Sequence, residues 1–280
     1  MKPNMDTITE PAEAPNGQSL PLPEPKVAQK VGVMVSTPMR VFLGWDPVHK
    51  AFLEKLAELS ADENCPYEFF QSVVEGGRTW GRCRAVTNFR KLRRKFPNLK
   101  WLYWHDHDMG KDADELVAAL LRLLSLKLPV AGAMYVTKGE DYHWCTNFMH
   151  EVEMQENGTL QVVETGLGGL LTHYQVYDII EKMHNILEYT DRDTGERHIG
   201  FFQEVVIEKV PYSEDYFFCW LLRHTPILNP TSDDPKRTTM GIGIFVDTNV
   251  RLRHRGADGT AWPVGDWPPI PIDEPQIPTD

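Results

Sequence analysis

The chain of 280 residues carries a formal net charge of -11 and is 41% hydrophobic, with 8 Trp, 9 Tyr and 12 Phe. This apolar content is enough to bury a sizeable core in one large domain or two small ones, whereas the acidic balance argues against a protein that coats DNA. The four cysteines form no CxxC pair, which argues against a zinc site or a disulfide framework and favours reduced thiols in a cytoplasm.

Proline-rich segments lie at both ends of the chain. Residues 1–30 contain six prolines and few large apolar residues, which predicts a disordered or extended leader without the apolar core of a secretory signal. Residues 257–280 contain another six prolines, together with Trp262 and Trp267. We expect this tail to lie extended along the surface, because two Trp rings are poorly accommodated in water. The predicted folded unit is therefore 31–256.

Strand and helix patterns alternate in the first half of this unit. Short apolar runs predict buried strands at 31–35, 67–74, 100–104 and 129–136. Helical spacing predicts helices at 48–59 after Pro47, at 80–96, and from the capping box of Asp112 and Glu115 to a point before Pro129. The alternation predicts a mostly parallel, doubly wound α/β sheet flanked by helices. The most apolar window, 116–136, is interrupted by charges and a proline, so no membrane span is predicted.

The second half of the unit is less regular. Its patterns predict helices at 175–184 and 214–223 and a strand at 249–254. The segment 141–157 is rich in aromatic residues and His but has no clear period.

The stretch 100–110, KWLYWHDHDMG, contains the first candidate site. Its apolar run stops abruptly, and the carboxyl end of a strand is where open α/β sheets bind ligands. Because side chains alternate along a strand, we expect Asp106 and Asp108 to point one way and His105 and His107 the other. Two such carboxylates suit a hard cation such as Mg2+ or Mn2+, completed by substrate phosphates. The alternative is that the charges merely end the strand in solvent.

The window Arg78–Lys95 is strongly basic, with six Arg, two Lys and no acidic residue. On a helix, Arg84 and Asn88 are one turn apart and share a face, which suits them to hold a diphosphate or an acidic acceptor. The later cluster, from Arg90 onward, is typical of a solvated basic face.

Three later motifs are further candidates. The glycines of 166–169 would let the backbone approach a ligand, although such a cluster can simply form a turn. Ser213 can cap a helix whose first turn holds Glu214 and Asp215, and either acid could instead be a general base. His254 could complete a metal shell begun by a carboxylate, although a lone His is more often structural.

The order of these motifs resembles the GT-A fold of nucleotide-sugar glycosyltransferases over 31–256, and small phage and bacterial enzymes of this kind are most similar in size. The matching pieces are VGVMVSTP, then Arg84 with Asn88, WLYWHDHDM as the DxD segment, PVAGAMYV, GLGGLLTH, SEDYFFCWLLR and RLRHRG. The resemblance implies one domain with a Rossmann-like sheet, a nucleotide and metal half at 31–140 and an acceptor half at 141–256. It also implies a cytoplasmic enzyme of a bacterial or phage-infected cell.

The same resemblance implies a nucleotide-diphosphate sugar as donor and Mn2+ or Mg2+ as cofactor. Asp106 would contact the ribose or the metal, and Asp108 and His254 would bind the metal. The other residues expected at the donor are Arg84, Asn88, Ser36 and Gly168. Asp215, with Glu214 beside it, would sit at the hydroxyl acceptor as the base of an inverting reaction, whereas a retaining enzyme would need no such base.

Two alternatives to this hypothesis stay open, and within the hypothesis the acceptor is open as well. A metal-dependent phosphohydrolase or nucleotidyltransferase could use Asp106 and Asp108, although no second acidic cluster follows an early strand as a two-metal centre requires. A non-catalytic module could bind carbohydrate through aromatic residues, namely Tyr142, Trp144 and Phe148. The acceptor itself is open among glycans, proteins, small molecules and DNA, the last through the basic window Arg78–Lys95.

Overall fold

A computed structural model describes residues 29–39, 46–75, 78–139, 141–149, 153–192, 194–228, 238–256, 260–263 and 266–270. The predicted leader lies almost wholly outside these residues. Within them are five helices: α1 (Pro47–Ala61), α2 (Arg78–Lys95), α3 (Ala113–Leu126), α4 (Tyr174–Met183) and α5 (Glu214–Arg223). All five helical predictions are confirmed, with ends that differ by a few residues.

The eight longer or central strands form one sheet. In chain order they are β1 (Val31–Met39), β2 (Tyr67–Glu75), β3 (Leu99–His105), β4 (Val130–Met134), β5 (Thr146–Phe148), β6 (Thr159–Thr165), β7 (Gly169–His173) and, later, β14 (Ile244–Arg251). The others pair into short two-stranded ribbons: β8 (Glu188–Thr190) with β9 (Arg197–Ile199), β10 (Val205–Ile207) with β11 (Val210–Tyr212), β12 (Pro226–Leu228) with β13 (Thr238–Met240), and β15 (His254–Arg255) with β16 (Ala261–Trp262).

The central sheet is mixed, so the prediction of a mostly parallel sheet is wrong. Its strand order is β2-β1-β3-β7-β4-β14-β6-β5. Parallel pairing joins β1 to β2 and β3, and β14 to β4. Strand β7 lies between β3 and β4 and runs antiparallel to both, and β6 runs antiparallel to β14 and β5. The helix crossovers between early strands do give parallel neighbours, but the strands of the less regular second half insert the other way.

Local sequence explains where the first helices begin. Asp46 precedes α1, and its carboxylate accepts hydrogen bonds from the amides of Val48 and His49 at 2.8 and 3.2 Å, while Pro47 occupies the first helical position. Asp112 accepts in the same way from the amide of Glu115 at 2.9 Å, which confirms the predicted cap of α3.

The sheet separates two apolar clusters. Helices α1 and α3 cover the face that carries Val35 and Tyr103, and helices α2, α4 and α5 cover the face that carries Met34 and Trp104. Because neighbouring strand residues alternate between the two clusters, β1 and β3 are buried on both sides. No helix of the described residues is both long and apolar enough to cross a membrane.

The topology brings the candidate motifs to one edge of the sheet. Strands β1, β3, β4 and β14 end at this edge, and β7 begins there because it runs the other way, with Gly169 opposite His105. The predicted strand at 249–254 divides into the end of β14 and the short β15, which places His254 at the same edge. We call this the carboxyl edge.

Candidate functional site

The segment with the two aspartates lies at the carboxyl edge as predicted, but not in extended form. Strand β3 ends at His105, and Asp106 and Asp108 lie in the turn that follows, where the amide of Met109 donates to the carbonyl of Asp106 at 3.0 Å. The alternation expected of a strand therefore does not apply to the two aspartates. It does hold for His105, which is buried on the α1 face and stacks on His49 at 5.1 Å between ring centroids.

His254 lies against Asp108. The amide of Arg255 donates to the carbonyl of Asp108 at 2.7 Å, and this backbone contact fixes β15 beside the turn. The Nδ1 atom of His254 donates to the carbonyl of Val136 at 2.9 Å, since a carbonyl can only accept. Its Nε2 atom lies 3.9 Å from Oδ1 of Asp108.

The electrostatics keep this imidazole neutral. Burial lowers the pKa of His254, and this effect outweighs the charge of Asp108, which raises it. A neutral imidazole whose Nδ1–H is held by a carbonyl presents the lone pair of Nε2, which is the form that binds metals. Asp108 and His254 therefore lie side by side, as the prediction that both bind one metal requires.

Asp108 also pairs with a residue that the sequence did not single out, Lys138. The ammonium of Lys138 donates to Oδ2 of Asp108. Burial raises the pKa of Asp108, but the hydrogen bond and the charge of Lys138 contribute to lowering it below its ordinary value, so the carboxylate stays ionised.

Arg82 connects Asp106 to the start of α5. Its Nη1 donates to Oε1 of Glu214 at 2.9 Å, and its Nη2 lies 3.4 Å from Oδ1 of Asp106. Burial lowers the pKa of Arg82, but the charges of Asp106, Asp215 and Glu214 outweigh it and raise the pKa. The guanidinium is therefore permanently charged, although its side chain is only 3% exposed.

Sequence reasoning missed Arg82 and chose Arg84. A signal was available, because Arg82 shares a helical face with Ala85, Val86 and Phe89, all buried against the sheet. An arginine on the apolar face of a helix needs a buried partner.

Asp215 faces the loop of glycines. Its Oδ1 accepts hydrogen bonds from the hydroxyl of Ser213 and from the amide of Tyr216. Its Oδ2 lies 3.6 Å from the point that a Cβ on Gly166 would occupy. Ser213 is the residue that precedes α5, but its side chain makes no capping hydrogen bond, because its hydroxyl is turned to Asp215.

The glycines of the 166–169 loop make room for Tyr135. A Cβ on Gly166 would lie 1.9 Å from the Tyr135 hydroxyl, and one on Gly168 would lie 3.1 Å from the ring. The amide of Gly168 donates to this hydroxyl at 3.0 Å, so it is engaged within the protein. Burial, followed by the charges of Cys145, Asp106 and Asp215, raises the pKa of Tyr135, so the phenol stays protonated.

The other residues expected at the donor are not all brought to this cluster. Ser36 is buried in β1 beside Trp104 of β3, and its hydroxyl has no hydrogen-bond partner within the described residues. Arg84 lies where its charge acts on Tyr189 and His198, on the side of the β8–β9 ribbon. Asn88, one turn further along the half-buried face of α2, is not brought to the two aspartates by any contact that the described residues show.

Two cations of the later part of the basic window are paired with acidic side chains of the protein. Arg90 lies 3.3 Å from Asp178 and 2.6 Å from Glu181, and Lys91 pairs with Glu196. These pairs leave two fewer unpaired cations of the window for a nucleic acid to contact.

The tail covers two of the aromatic residues that a carbohydrate-binding module would use. Trp267 stacks on Trp144 with 5.6 Å between ring centroids. The hydroxyl of Tyr142 donates to the carbonyl of Asp266, and the indole of Trp144 donates to that of Pro269, each at 3.1 Å. The expectation that the tail lies along the surface holds for these described residues.

The residues at the edge fit a cation held by few protein ligands. The described part of the chain has no group of three or more His, Cys, Asp and Glu side chains placed to hold a metal. Asp108 and His254 supply two donors of suitable type, and Asp106 lies two residues from Asp108. Magnesium-like ions are commonly bound through one or two carboxylates with substrate phosphates completing the shell.

Comparisons with known proteins give only weak likenesses. No protein-family model matches the chain, and no curated protein matches it in sequence. Similar solved structures include A197 from STIV, 12% identical, with a TM-score of 0.42 over 82% of this chain and 92% of that one. Another is a glycosyltransferase involved in the glycosylation of the major capsid of PBCV-1, 12% identical, with a TM-score of 0.32 over 55% of this chain and 66% of that one. Likenesses this weak say nothing about function, which rests on the residues of the carboxyl edge.

Proposed function

We propose that the chain is a metal-dependent glycosyltransferase, which moves a sugar from a nucleotide-diphosphate sugar to a hydroxyl acceptor. The proposal rests on four side chains that lie at one edge of the sheet. Asp108 and His254 are a pair of metal-ligand type, and Asp106 and Asp215 lie near them. Arg82 links the two halves of this arrangement, because it is paired with Asp106 and acted on by Asp215.

In the proposal, Asp108 and His254 hold the cation, and Asp106 binds the cation or the donor ribose. When bound, the cation would neutralise the charge that develops on the leaving diphosphate. The held tautomer of His254 and the ionised state of Asp108 support this assignment. The unpartnered hydroxyl of Ser36, on the strand next to β3, supports a place for the nucleotide beside them.

Asp215 is the residue that we assign to the acceptor. Its Oδ1 is held by Ser213 and the backbone, while its Oδ2 faces the glycine loop. In an inverting reaction, Oδ2 would take the proton of the acceptor hydroxyl as that oxygen bonds to the anomeric carbon and the bond to the diphosphate breaks. Glu214 is bound by Arg82 and is 96% buried, so we assign it to positioning Arg82.

The experiment is a melting-temperature screen of the full chain against nucleotide diphosphates and nucleotide sugars, with and without Mn2+. A ligand that binds only the folded state raises the melting temperature. At a ligand concentration of a hundred times Kd, it adds about 3 kcal/mol to the free energy of unfolding. We expect a rise with one nucleotide sugar that requires Mn2+. A rise with free sugars alone, without metal, would favour the carbohydrate-binding module instead.

The matched variant is Asp108→Asn, and its control is Asp114→Asn, which makes the same charge change at an exposed residue of α3. We expect Asp108→Asn to lose the Mn2+-dependent rise and at least about a hundredfold in kcat/KM, while its melting temperature without ligand changes little. Product analysis then separates reaction classes. Sugar transfer with release of a nucleoside diphosphate supports the proposal, and release of phosphate without sugar transfer contradicts it.

A further inference from the structure

We infer that Lys138 is a counter-cation built into the proposed metal site. Its ammonium pairs with Asp108 when no divalent cation is bound, and it competes with such a cation for that carboxylate. The inference rests on the proposed function only through the assignment of Asp108 and His254 as metal ligands. It concerns binding, so it can be tested without turnover.

The geometry places two partners on the two oxygens of one carboxylate. The ammonium of Lys138 contacts Oδ2 of Asp108, and Nε2 of His254 lies on the side of Oδ1, at 3.9 Å. A divalent cation shared by Asp108 and His254 would bring a second positive centre close to the ammonium, and the two would repel. Metal binding must therefore displace Lys138 or be weakened by it.

The two aspartates of the turn are paired with cations of different kinds. Asp106 lies beside Arg82, whose side chain is 3% exposed and also bound by Glu214. Asp108 is paired with Lys138, whose side chain is 39% exposed. A buried, doubly paired guanidinium is a fixed charge, whereas an ammonium on a flexible four-carbon stem can leave into solvent at low cost. Of the two cations, Lys138 is the exchangeable one.

The segment that carries Lys138 would keep its place when the side chain leaves. The amide of Thr137 donates to the carbonyl of His143 at 2.8 Å, and the amide of His143 donates to the Thr137 hydroxyl at 3.1 Å. The carbonyl of Val136 in the same segment accepts the Nδ1–H of His254. Rotation of the lysine side chain therefore need not disturb the imidazole that remains to bind the cation.

The test measures Mn2+ binding to the full chain by electron paramagnetic resonance of the free ion, without donor or acceptor. The variant is Lys138→Met, which keeps the length of the stem and removes the charge. Its control is Lys95→Met, which makes the same charge change at the exposed far end of α2. Lys138→Arg retains the cation. Thermal unfolding of each variant checks that it is folded.

We expect Lys138→Met to bind Mn2+ about fivefold or more tightly than the native chain, with Lys95→Met and Lys138→Arg close to native. Adding Asp108→Asn to Lys138→Met should remove the gain. Equal or weaker binding by a folded Lys138→Met overturns the inference and, if Mn2+ still binds, leaves the proposed metal site standing. No binding to either chain overturns the inference, while the proposed function, in which substrate phosphates complete the metal shell, is still decided by the melting screen with nucleotide sugars. Tighter binding by Lys138→Met in a protein that transfers no sugar supports the inference and contradicts the proposed function.

Discussion

At the scale of residues, two adjacent acids have different surroundings. Glu214 is buried and bound to Arg82, whereas Asp215 is half-buried and turns one oxygen to the glycine loop. A carboxylate in a buried ion pair mainly stabilises its partner, because removing it would leave a charge without compensation. A carboxylate with a free oxygen at a cleft can exchange a proton with a bound group.

The first prediction concerns Glu214→Gln. We expect it to lower the free energy of unfolding by about 3 kcal/mol, because Arg82 would lose its nearest charged partner while it remains buried. Urea unfolding at pH 7 measures this. The matched control is Glu54→Gln, at an exposed acid 3.8 Å from Lys50 on α1, which should cost well under about 1 kcal/mol. A Glu214→Gln variant as stable as the control would mean that Arg82 does not depend on this pair.

The second prediction concerns Asp215→Asn. The amide cannot take a proton from an acceptor, so we expect kcat to fall by about a hundredfold or more, while the Mn2+-dependent melting shift with the nucleotide sugar is retained. Steady-state kinetics and the melting screen measure the two effects separately. Loss of the melting shift together with the activity would place Asp215 at the donor, and unchanged kcat would favour a retaining reaction.

At the scale of elements, the inverted strand β7 is what brings the glycine loop to the site. Because β7 runs antiparallel to β3, its first residue lies opposite the last residue of β3, and the loop before it ends beside Tyr135. The tail is a second element whose position matters. Its β16 pairs with β15, with Trp262 opposite His254, and so supports the strand that carries the proposed metal ligand.

The third prediction tests this packing of the loop. Gly166→Ala would place a Cβ 1.9 Å from the hydroxyl of Tyr135, so we expect a loss of about 2 kcal/mol or more in the free energy of unfolding. Tyr135→Phe removes the clashing oxygen but leaves the ring carbon 2.9 Å away, so the rescue should be partial. The double-mutant cycle in urea measures it. Additive losses, with no coupling between the two changes, would show that the clash does not set the cost.

At the scale of the whole molecule, the sheet buries titratable groups between its layers. His49 of α1 and His105 of β3 are both fully buried and stacked on each other. Burial, with a smaller contribution from the charge of His107, lowers the pKa of His49 to about 4. Burial likewise lowers the pKa of His105 well below its ordinary value, so both rings are neutral at pH 7.

The fourth prediction is the resulting pH dependence of stability. A histidine with a lowered folded pKa stabilises the fold fully above its unfolded pKa of 6.5, and this contribution is lost as the pH falls toward about 4. Between pH 6.5 and 5, His49 alone should cost about 2 kcal/mol of the free energy of unfolding. Urea unfolding at pH 7 and pH 5 measures the difference. His49→Leu should reduce it, and His143→Leu, at an exposed residue, should not. An equal loss of unfolding free energy between pH 7 and pH 5 in the two variants would exclude His49 as the source of the pH dependence.

The sequence by itself determined the parts of the molecule that depend on neighbouring residues. Helical periods and caps predicted all five helices, and apolar runs predicted the early strands, because hydrogen bonds within a helix and alternation along a strand are local. The abrupt end of the run before Asp106 predicted that this segment lies at the carboxyl edge, where the candidate site is. The pairing of Asp108 with His254 came from the resemblance to a known family, and the structure brings the two side chains together.

Tertiary structure alone decided the rest. Arg82 and Glu214 are 132 residues apart, and Tyr142 and the tail carbonyl that it binds are 124 apart. The direction of β7, the pairing of Arg82 with Glu214 and the place of Lys138 on Asp108 depend on contacts of this kind. No local pattern encodes them, because a buried charge or an inserted strand is stabilised by partners that only the folded chain brings within a few ångströms.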